Sequence, residues 1–464
     1  MNSETREAPD YDWAFDAIVV GAGPAGSAAA ITMARADLDV IVIERGAYPG
    51  AKNVFGGVLY TPTLRELVNV DEAPTERYVG EKRYGLLTDQ DEVATSVRLG
   101  EWRDPPHNDS YTVYRGDFDE WFAQQAVAAG ATLVTETTVT GLVKEDGRIV
   151  GVETDRPNGE LRAPVVVVAE GGNSLVSEDA SLKDPNDREH VAVAVKEVLE
   201  FPSHEEAIEQ RFGLTGDAGA AYHYFGEGAV GDAFGGGFVY TNRNTVSVGV
   251  AYRIEDAVTG QPDPETTLNC FKEHPAVAPL VRDARTVEYG AKVIPEGGSE
   301  EIPDLVHDGA LLVGDTAGLV LNNGIHLEGT NMAIESGYQA GETVVDALTR
   351  PAITVGETPG TARADGGRAI TAADLEAYPR AMEESFVVKN LDHYEWLLNT
   401  VLADRDLLFA ELPEAIAEAA IEYFRMDRTP KATHGRRAKE RLLQPLGGWR
   451  GALRVAWRYR HLVR

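Results

Sequence analysis

Phe15-Asp16-Ala17-Ile18-Val19-Val20-Gly21-Ala22-Gly23-Pro24-Ala25-Gly26 is the stretch that decides the fold, and Ser27 to Ala36 followed by Val40-Ile41-Val42-Ile43-Glu44 completes it. The short apolar, β-branched run at 15–20 is the pattern of a strand buried on both faces. Glycine stops it. In the GxGxxG turn the first glycine permits the tight bend, the second lets backbone approach a pyrophosphate, and the third lets helix pack on strand. The helix that follows presents unpaired N–H groups and a positive dipole end. Glu44 closes the second strand where a ribose hydroxyl needs an acceptor. A lone glycine turn is weak evidence, but here the strand before it, the helix after it and the acid agree. They predict a βαβ unit with a dinucleotide site at Gly21, Gly23, Pro24, Ala25 and Gly26, and Arg45 beside Glu44 leans toward FAD over NAD.

The length of 464 residues allows a large core and two or three domains. Met1 to Asp10 is polar and acidic without an apolar core, so a secretion signal is not expected. Apolar runs such as Val165 to Ala169 fall far short of the roughly 20 residues that span a bilayer. A cytoplasmic protein is expected. The net charge of −32 means self-repulsion in dilute salt, which is screened when the Debye length shrinks to about 3 Å at molar salt. It reads as adaptation to a salty cytoplasm, or as an ordinary acidic cytosolic protein, and it argues against nucleic acid. Cys270 is the single cysteine. It excludes a disulfide within the chain, a four-cysteine zinc site and an iron-sulfur cluster held by the chain's own cysteines. Its flanks suggest a helix and a buried, inert thiol. No metal site is expected.

After the βαβ unit, the loop Gly50-Ala51-Lys52-Asn53-Val54-Phe55-Gly56-Gly57 has the glycines, cation and amide to wrap a flat cofactor, or is a flexible connector. Arg83–Val97 and Tyr111–Tyr114 alternate like strands of a second sheet. Arg115 precedes a helix with acids in its first turn, free to pair with a phosphate or with a surface carboxylate. Thr132–Thr138 and Arg148–Thr154 bracket the turn Glu145-Asp146-Gly147 like a hairpin. Val165 to Val168 is a buried strand ending in Ala169-Glu170-Gly171, at the edge of a parallel sheet where ligands sit. From Val191 to Tyr252 strands follow one another without long helices, which predicts a mostly antiparallel sheet. Tyr222, His223 and Tyr224 either line its pocket or pack ordinarily.

The chain then returns to the first domain. Ala310 to Val313 leads into Gly314-Asp315, with Gly318 and Gly324 before a helix predicted from about Glu328. Asp315 suits the ribityl chain of a flavin, and the helix N-terminus suits negative charge on a reduced ring. The domains predicted are an acidic extension at 1–14, an FAD-binding domain at 15–190 and 290–350 interleaved with second-sheet strands near 83–114, the antiparallel substrate domain at 191–289, a helical region at 368–430 and a basic amphipathic tail at 431–464. The fold class is therefore α/β, a Rossmann-like FAD-binding domain interleaved with a mostly antiparallel sheet domain and followed by a helical C-terminal region. Pro351–Gly367 reads as a linker, and Glu383–Leu398 and Leu402–Phe424 as amphipathic helices, with Lys389 and His393 pairing at the surface. In the tail, Leu446, Trp449, Leu453 and Trp457 recur at helical spacing among arginines. That pattern suits a membrane surface, the acidic body of the same chain or an acidic partner.

Gly21–Gly26 with Glu44-Arg45, the Gly50–Gly57 loop, Arg115 with Phe118-Asp119, Ile294-Pro295-Glu296-Gly297-Gly298, Gly314-Asp315 and Glu384–Lys389 together resemble the FAD-dependent electron-transfer-flavoprotein:quinone oxidoreductase family, particularly its FixC branch, within the group that includes geranylgeranyl reductases. The resemblance implies electron transfer from a reduced electron-transfer flavoprotein, with FixA- and FixB-like subunits, through FAD to a membrane quinone bound at the antiparallel sheet. It implies FAD binding by Gly21, Gly23, Pro24, Ala25, Gly26, Glu44, Arg45, Lys52, Asn53, Gly56, Gly57, Arg115, Ala169, Glu170, Gly171, Gly314, Asp315, Gly318 and Gly324. It further implies a ferredoxin-like, FixX-like iron-sulfur subunit and a place on the inner face of the cell membrane. Glu170 departs from the aspartate usual in relatives. A prenyl-lipid reductase of the geranylgeranyl type is the alternative enzyme, although its Tyr-x-Trp-x-Phe-Pro stretch is poorly matched at Tyr222–Gly226. An aromatic hydroxylase and a non-catalytic flavin-binding subunit are further readings.

Overall fold

The computed structural model describes residues 14–53, 57–105, 107–202, 204–259, 263–349 and 370–460. Most of the extension expected at 1–14, Gly56, the linker Pro351–Gly367 and tail residues 461–464 lie outside them. The chain divides into two units: Met1–Thr75, Val113–Val191 and Val293–Glu395 form the first, and Glu76–Thr112, Ala192–Lys292 and Trp396–Arg464 the second.

The first unit is built on a sheet whose strands run in the order Val306–His307, Ala310–Leu312, Val165–Val168, Ala17–Val20, Val40–Ile43 and Thr132–Val134. All neighbours are parallel except the edge hairpin 306–307/310–312. Ala17–Val20 is central, with Ala17 level with Val165 on one side and Val40 on the other. Its four residues are buried, which is why the run is continuously apolar rather than alternating. Thr132–Val134 therefore joins the parallel sheet. The partner of Arg148–Thr154 across the Asp146-Gly147 turn is Val139–Glu145, which corrects the hairpin expected from 132–138. Periodicity alone cannot tell which of two adjacent short strands takes a given neighbour.

The helix Pro24–Arg35 lies against Thr330–Thr349, two residues beyond the start expected near Glu328. Small residues allow this contact. A Cβ on Gly337 would stand 2.0 Å from the carbonyl oxygen of Ala25, and one on Gly341 would stand 2.7 Å from Cβ of Thr32. Even alanine there forces the backbones apart, at a cost of about 1–3 kcal/mol.

In the second unit the sheet carries the strands Arg285–Pro295, Val191–Glu200, Thr245–Arg253, Gly235–Thr241, Ala218–Phe225, Thr75–Leu87 and Ser110–Val113 in that order, with Glu92–Val97 folded back on Thr75–Leu87. The pairs among 191–253 are antiparallel, while Ala218–Phe225 meets Thr75–Leu87 in parallel. Glycines make room for rings: a Cβ on Gly237 would meet the Phe271 ring at 2.5 Å, and one on Gly249 would meet the Phe238 ring at 2.4 Å. Alternation separates the three aromatic residues singled out in the sequence. Tyr222 and Tyr224 are buried in the core with Leu268 and Phe271. His223 instead stacks on Tyr84, centroids 5.4 Å apart, and meets Tyr240 edge-on.

Cys270 lies on the helix Pro264–Glu273 but is exposed, which corrects the expected buried thiol. The helix turns Thr267, Leu268 and Phe271 inward, and at 100° per residue Cys270 falls beside that stripe rather than in it. Lys389 reaches back to the carbonyl of Glu384 instead of pairing with His393, which packs edge-on against Tyr394. Among the described residues no helix is long and apolar enough to cross a membrane.

The helices Leu412–Phe424 and Lys431–Leu443 are joined through a buried histidine. His434 places Nδ1 2.9 Å from Glu422 Oε1 and Nε2 3.0 Å from Asp427 Oδ1, with its side chain 1% exposed. A ring that donates from both nitrogens is positively charged. The hydrogen bonds to Glu422 and then Asp427 raise its pKa above the ordinary 6.5. Asp427 is held down to about 2 by the backbone N–H of Thr429 and then by His434, and Glu422 is lowered chiefly by His434. The histidine's contribution is complete below its unfolded pKa and disappears as pH rises through the folded value. The carboxylates' contribution is complete above theirs and disappears as pH falls toward the folded values. The clamp is therefore strongest between about pH 4.5 and 6.5. The melting-temperature difference between the parent protein and His434→Gln should peak in that window and shrink on both sides. A difference independent of pH would exclude the charged clamp.

Candidate functional site

The site is assembled in the first unit, where the sheet's carboxyl edge meets the N-terminus of the helix Pro24–Arg35. The three turn glycines serve different ends. Gly21 has φ +98°, and a Cβ there would be 2.4 Å from the carbonyl oxygen of Ala169; a Cβ on Gly26 would be 1.9 Å from the carbonyl oxygen of Gly21. Both are demanded by packing. Gly23 is the helix N-cap, has ordinary φ, and would place a Cβ in open space with nothing within 4 Å. Pro24 and Ala25 follow as the first helical residues, and no side chain caps the helix. Open backbone at an uncapped helix start is an anion cradle.

Glu44 is held beside this cradle, its Oε2 accepting from the Ala22 N–H at 3.0 Å and its Oε1 from the Gly46 N–H at 2.6 Å. Each carboxylate oxygen retains a lone pair for a further donor. Arg45 and Lys52 are exposed. Gly50 has φ +87° and approaches the Arg115 carbonyl so closely that a Cβ would be 2.9 Å from it. Asn53 anchors its N–H on the Gly50 carbonyl at 2.8 Å, while its Oδ1 is buried without a hydrogen-bond partner. An orphaned buried amide oxygen is costly, and a donor on a bound cofactor would satisfy it. Gly57 begins the strand Gly57–Tyr60 with open space over its Cα.

Arg115 is the first residue of its helix, not the residue before it. Its fork is committed to Asp119, Nε to Oδ1 at 2.8 Å and Nη2 to Oδ2 at 3.0 Å, with Nη1 on Thr330 Oγ1 at 3.2 Å. Burial opposes the charge, yet Asp119, helped by Asp315, raises the pKa above its ordinary value. The carboxylate partner of Arg115 is not at the surface but buried, one turn along the same helix. The guanidinium thereby ties the start of its own helix to the start of the Thr330–Thr349 helix.

Glu170 turns its carboxylate to the N–H groups of Val176 and Ser177 at 2.8 and 2.7 Å, capping the short helix Leu175–Asp179. Ala169 and Gly171 contribute backbone; Gly171, at φ +80°, donates its N–H to Thr316 Oγ1 at 2.9 Å. Gly314, at φ +62°, donates to Ser336 Oγ at 2.9 Å. Asp315 follows in the turn Gly314–Ala317, 3.7 Å from where a Cβ on Gly329 would lie. Gly318 and Gly324 have φ +70° and +87°, and Gly324 donates to Asn322 Oδ1 at 2.8 Å.

Sequence reading missed several positioning residues. Gly337 and Gly341 let the two helices meet, and Ser336 holds the Gly314 turn; their small-residue spacing was available as a signal. Lys183 joins Asn186 Oδ1 at 2.9 Å with the Thr316 carbonyl at 3.3 Å, burial lowering its pKa. Tyr60, His326 and Glu328 form a triad that no motif announces: Tyr60 Oη lies 2.6 Å from His326 Nε2, which lies 3.2 Å from Glu328 Oε1.

The open Gly23, the uncapped helix and the orphaned Asn53 oxygen fit a dinucleotide. Residues 16–176 and 107–342 match FAD dependent oxidoreductase families, and 398–464 match the ETF-QO/FixC family C-terminal domain. Protein FixC of Azorhizobium caulinodans is 38% identical over 97% of this chain and 98% of its own length. The chain belongs to the ETF-QO/FixC family. A probable electron transfer flavoprotein-quinone oxidoreductase of Escherichia coli, YdiS, is 38% identical over 90% of this chain and 92% of its own. A geranylgeranyl bacteriochlorophyll reductase-like structure from Thermoplasma acidophilum superposes with a TM-score of 0.64 at 18% identity, covering 97% of both chains. That likeness is one of fold. As a member of the ETF-QO/FixC family this protein is an FAD-dependent oxidoreductase, and its cofactor is FAD.

Because Gly23 keeps its Cβ position clear and has ordinary φ, Gly23→Ala should fold normally yet lose FAD affinity at least tenfold, about 1.4 kcal/mol. Gly26→Ala should fail to fold. Flavin absorbance per protein, read beside the melting temperature, checks both; a Gly23→Ala protein that retains full FAD would remove Gly23 from the cradle.

Proposed function

We propose that this protein accepts electrons from a reduced electron-transfer flavoprotein and delivers them through FAD to a membrane quinone. The observation that carries the reading is the resemblance, along nearly the whole chain, to FixC and to YdiS, whose name pairs those two partners. Bound FAD accepts two electrons and releases them singly or together. The residues supply its setting. Gly21, Gly23 and Gly26 with Pro24 and Ala25 receive the pyrophosphate, Glu44 the ribose, and Asn53 and Asp315 the polar groups toward the flavin. The Thr330–Thr349 helix directs its positive end at charge on the reduced ring. Gly57, Ala169, Gly171, Gly314, Gly318 and Gly324 keep backbone close to the cofactor. Arg115 and Glu170 hold this shell from behind through Asp119, Thr330 and the Leu175–Asp179 turn. The donor is a FixA- and FixB-like pair. One cysteine cannot ligate a cluster, so a FixX-like ferredoxin subunit supplies it.

Anaerobic reduction of the flavin, followed by a short-chain quinone or an unsaturated isoprenoid lipid, tests the reading. The oxidised flavin band should return with quinone alone. Return with the lipid alone, with saturation of its double bonds, would make the protein a prenyl reductase.

The C-terminal helix Gly448–Arg458 supports a place on the inner face of the cell membrane. Its apolar side is outward, with Trp449 61%, Leu453 68% and Trp457 67% exposed. The basic side is partly held by the chain's own acids: Arg458 pairs with Asp404, which also accepts from Tyr459 at 3.1 Å. Two of the readings of the tail are thus compatible, one face tethered to the body and the other free for lipid. Basic residues near an anionic surface contribute about 1 kcal/mol each at physiological salt, and molar salt screens that away. In the salty cytoplasm that the acidic body suits, the tryptophans and leucine carry the binding. Flotation with anionic vesicles should therefore survive molar potassium chloride and be lost in Leu453→Asp; flotation unchanged in that variant would remove the helix from the membrane.

A further inference from the structure

The Tyr60–His326–Glu328 triad has the chemistry of a proton supply, and its surroundings are apolar. His326 sits at the turn of the small hairpin Leu321–Asn322/Leu327–Glu328. Its neighbours Ile325 and Leu327 are 49% and 39% exposed, while the side chains of His326 and Glu328 are only 14% and 21% exposed. Glu328 is fixed in turn by the side-chain amide of Asn331 at 3.1 Å. A greasy, exposed loop that gathers a phenol and a carboxylate about one imidazole nitrogen suits a lipophilic substrate that must be protonated. The triad is also next to the cofactor shell. Tyr60 ends the strand that Gly57 begins, His326 lies two residues after Gly324, and Glu328 precedes Gly329, which faces Asp315.

We infer that Tyr60 is the proton donor to the bound quinone, resupplied through His326, which Glu328 orients, with Ile325 and Leu327 receiving the apolar part of the substrate. This rests on the quinone reading above. Converting a quinone to its quinol adds two electrons and two protons. Both electrons and one proton come from the reduced flavin; the second proton is the protein's to supply. The Tyr60 O–H bond breaks as a new O–H bond forms on the quinone carbonyl oxygen, leaving a phenolate. His326 passes the proton on Nε2 to that phenolate and takes one from water on Nδ1, so the charge of the ring does not change. The Glu328 carboxylate, 3.2 Å from the same Nε2, orients the ring for this transfer. Tyr60 is the catalytic residue in this scheme; His326 and Glu328 act through it.

The test compares two oxidants of the reduced, flavin-loaded protein in stopped flow: a short-chain quinone, which needs protons, and ferricenium, which takes one electron and none. Tyr60→Phe should slow the quinone reaction about 100-fold, the ordinary range for a lost general acid, and abolish its solvent deuterium effect, with the ferricenium rate unchanged within about twofold. His326→Gln should slow the quinone reaction less and be rescued by added imidazole. A readout independent of turnover is the ring ¹⁵N spectrum of His326 in flavin-free protein, whose Nε2 signal should move in Tyr60→Phe and in Glu328→Gln. Equal slowing with both oxidants, an unchanged quinone rate, or an unmoved Nε2 signal would each overturn the relay. Parent protein that reduces ferricenium but no quinone would instead overturn the function proposed above, and the relay with it.

Discussion

The contact on which the first unit depends is between backbones. Gly26 passes the carbonyl of Gly21 and Gly337 passes the carbonyl of Ala25 so closely that a methyl group at either place would stand within about 2 Å of oxygen. These approaches bring the Pro24–Arg35 helix onto both the central strand and the Thr330–Thr349 helix. Two helix N-termini are thereby aimed at one edge of the sheet. Helix N-termini of this kind favour negative charge. Gly23 is the exception among the turn glycines, left open on the ligand side.

Charged groups around that edge bind the chain to itself. Arg115 with Asp119 links the start of its own helix to Thr330, Glu170 caps Leu175–Asp179, and Thr316 links Gly171 to the Gly314 turn. Buried ion pairs add little stability of their own but break at high cost if one partner is lost. They suit a scaffold that must keep backbone fixed around a planar cofactor. The second unit solves a different problem, using glycines to sink Phe238 and Phe271 against its sheet, and at its C-terminal end a charged histidine clamp joins two helices.

Much of this was legible in the chain. The βαβ unit, the glycine turn, Glu44, the Gly314-Asp315 turn, the antiparallel strands and the amphipathic C-terminal helix each follow from patterns local to a few residues, because φ preference, strand alternation and helical spacing are local properties. Predictions failed where the outcome depended on a distant partner or a helix face. The neighbour of Thr132–Val134 and the exposure of Cys270 are of that kind.

The sequence by itself determined the βαβ unit and its glycine turn, since at Gly21 and Gly26 only glycine tolerates the backbone conformation or the close approach. Tertiary structure alone decided what the side chains around the cradle do. Arg115 finds Asp119 and Thr330, the tail presents Trp449, Leu453 and Trp457 outward, and Tyr60 meets His326 from 266 positions away. The physical reason is that a hydrogen bond depends on position within a few tenths of an ångström, and that position is set by packing summed over the whole unit rather than by any spacing along the chain.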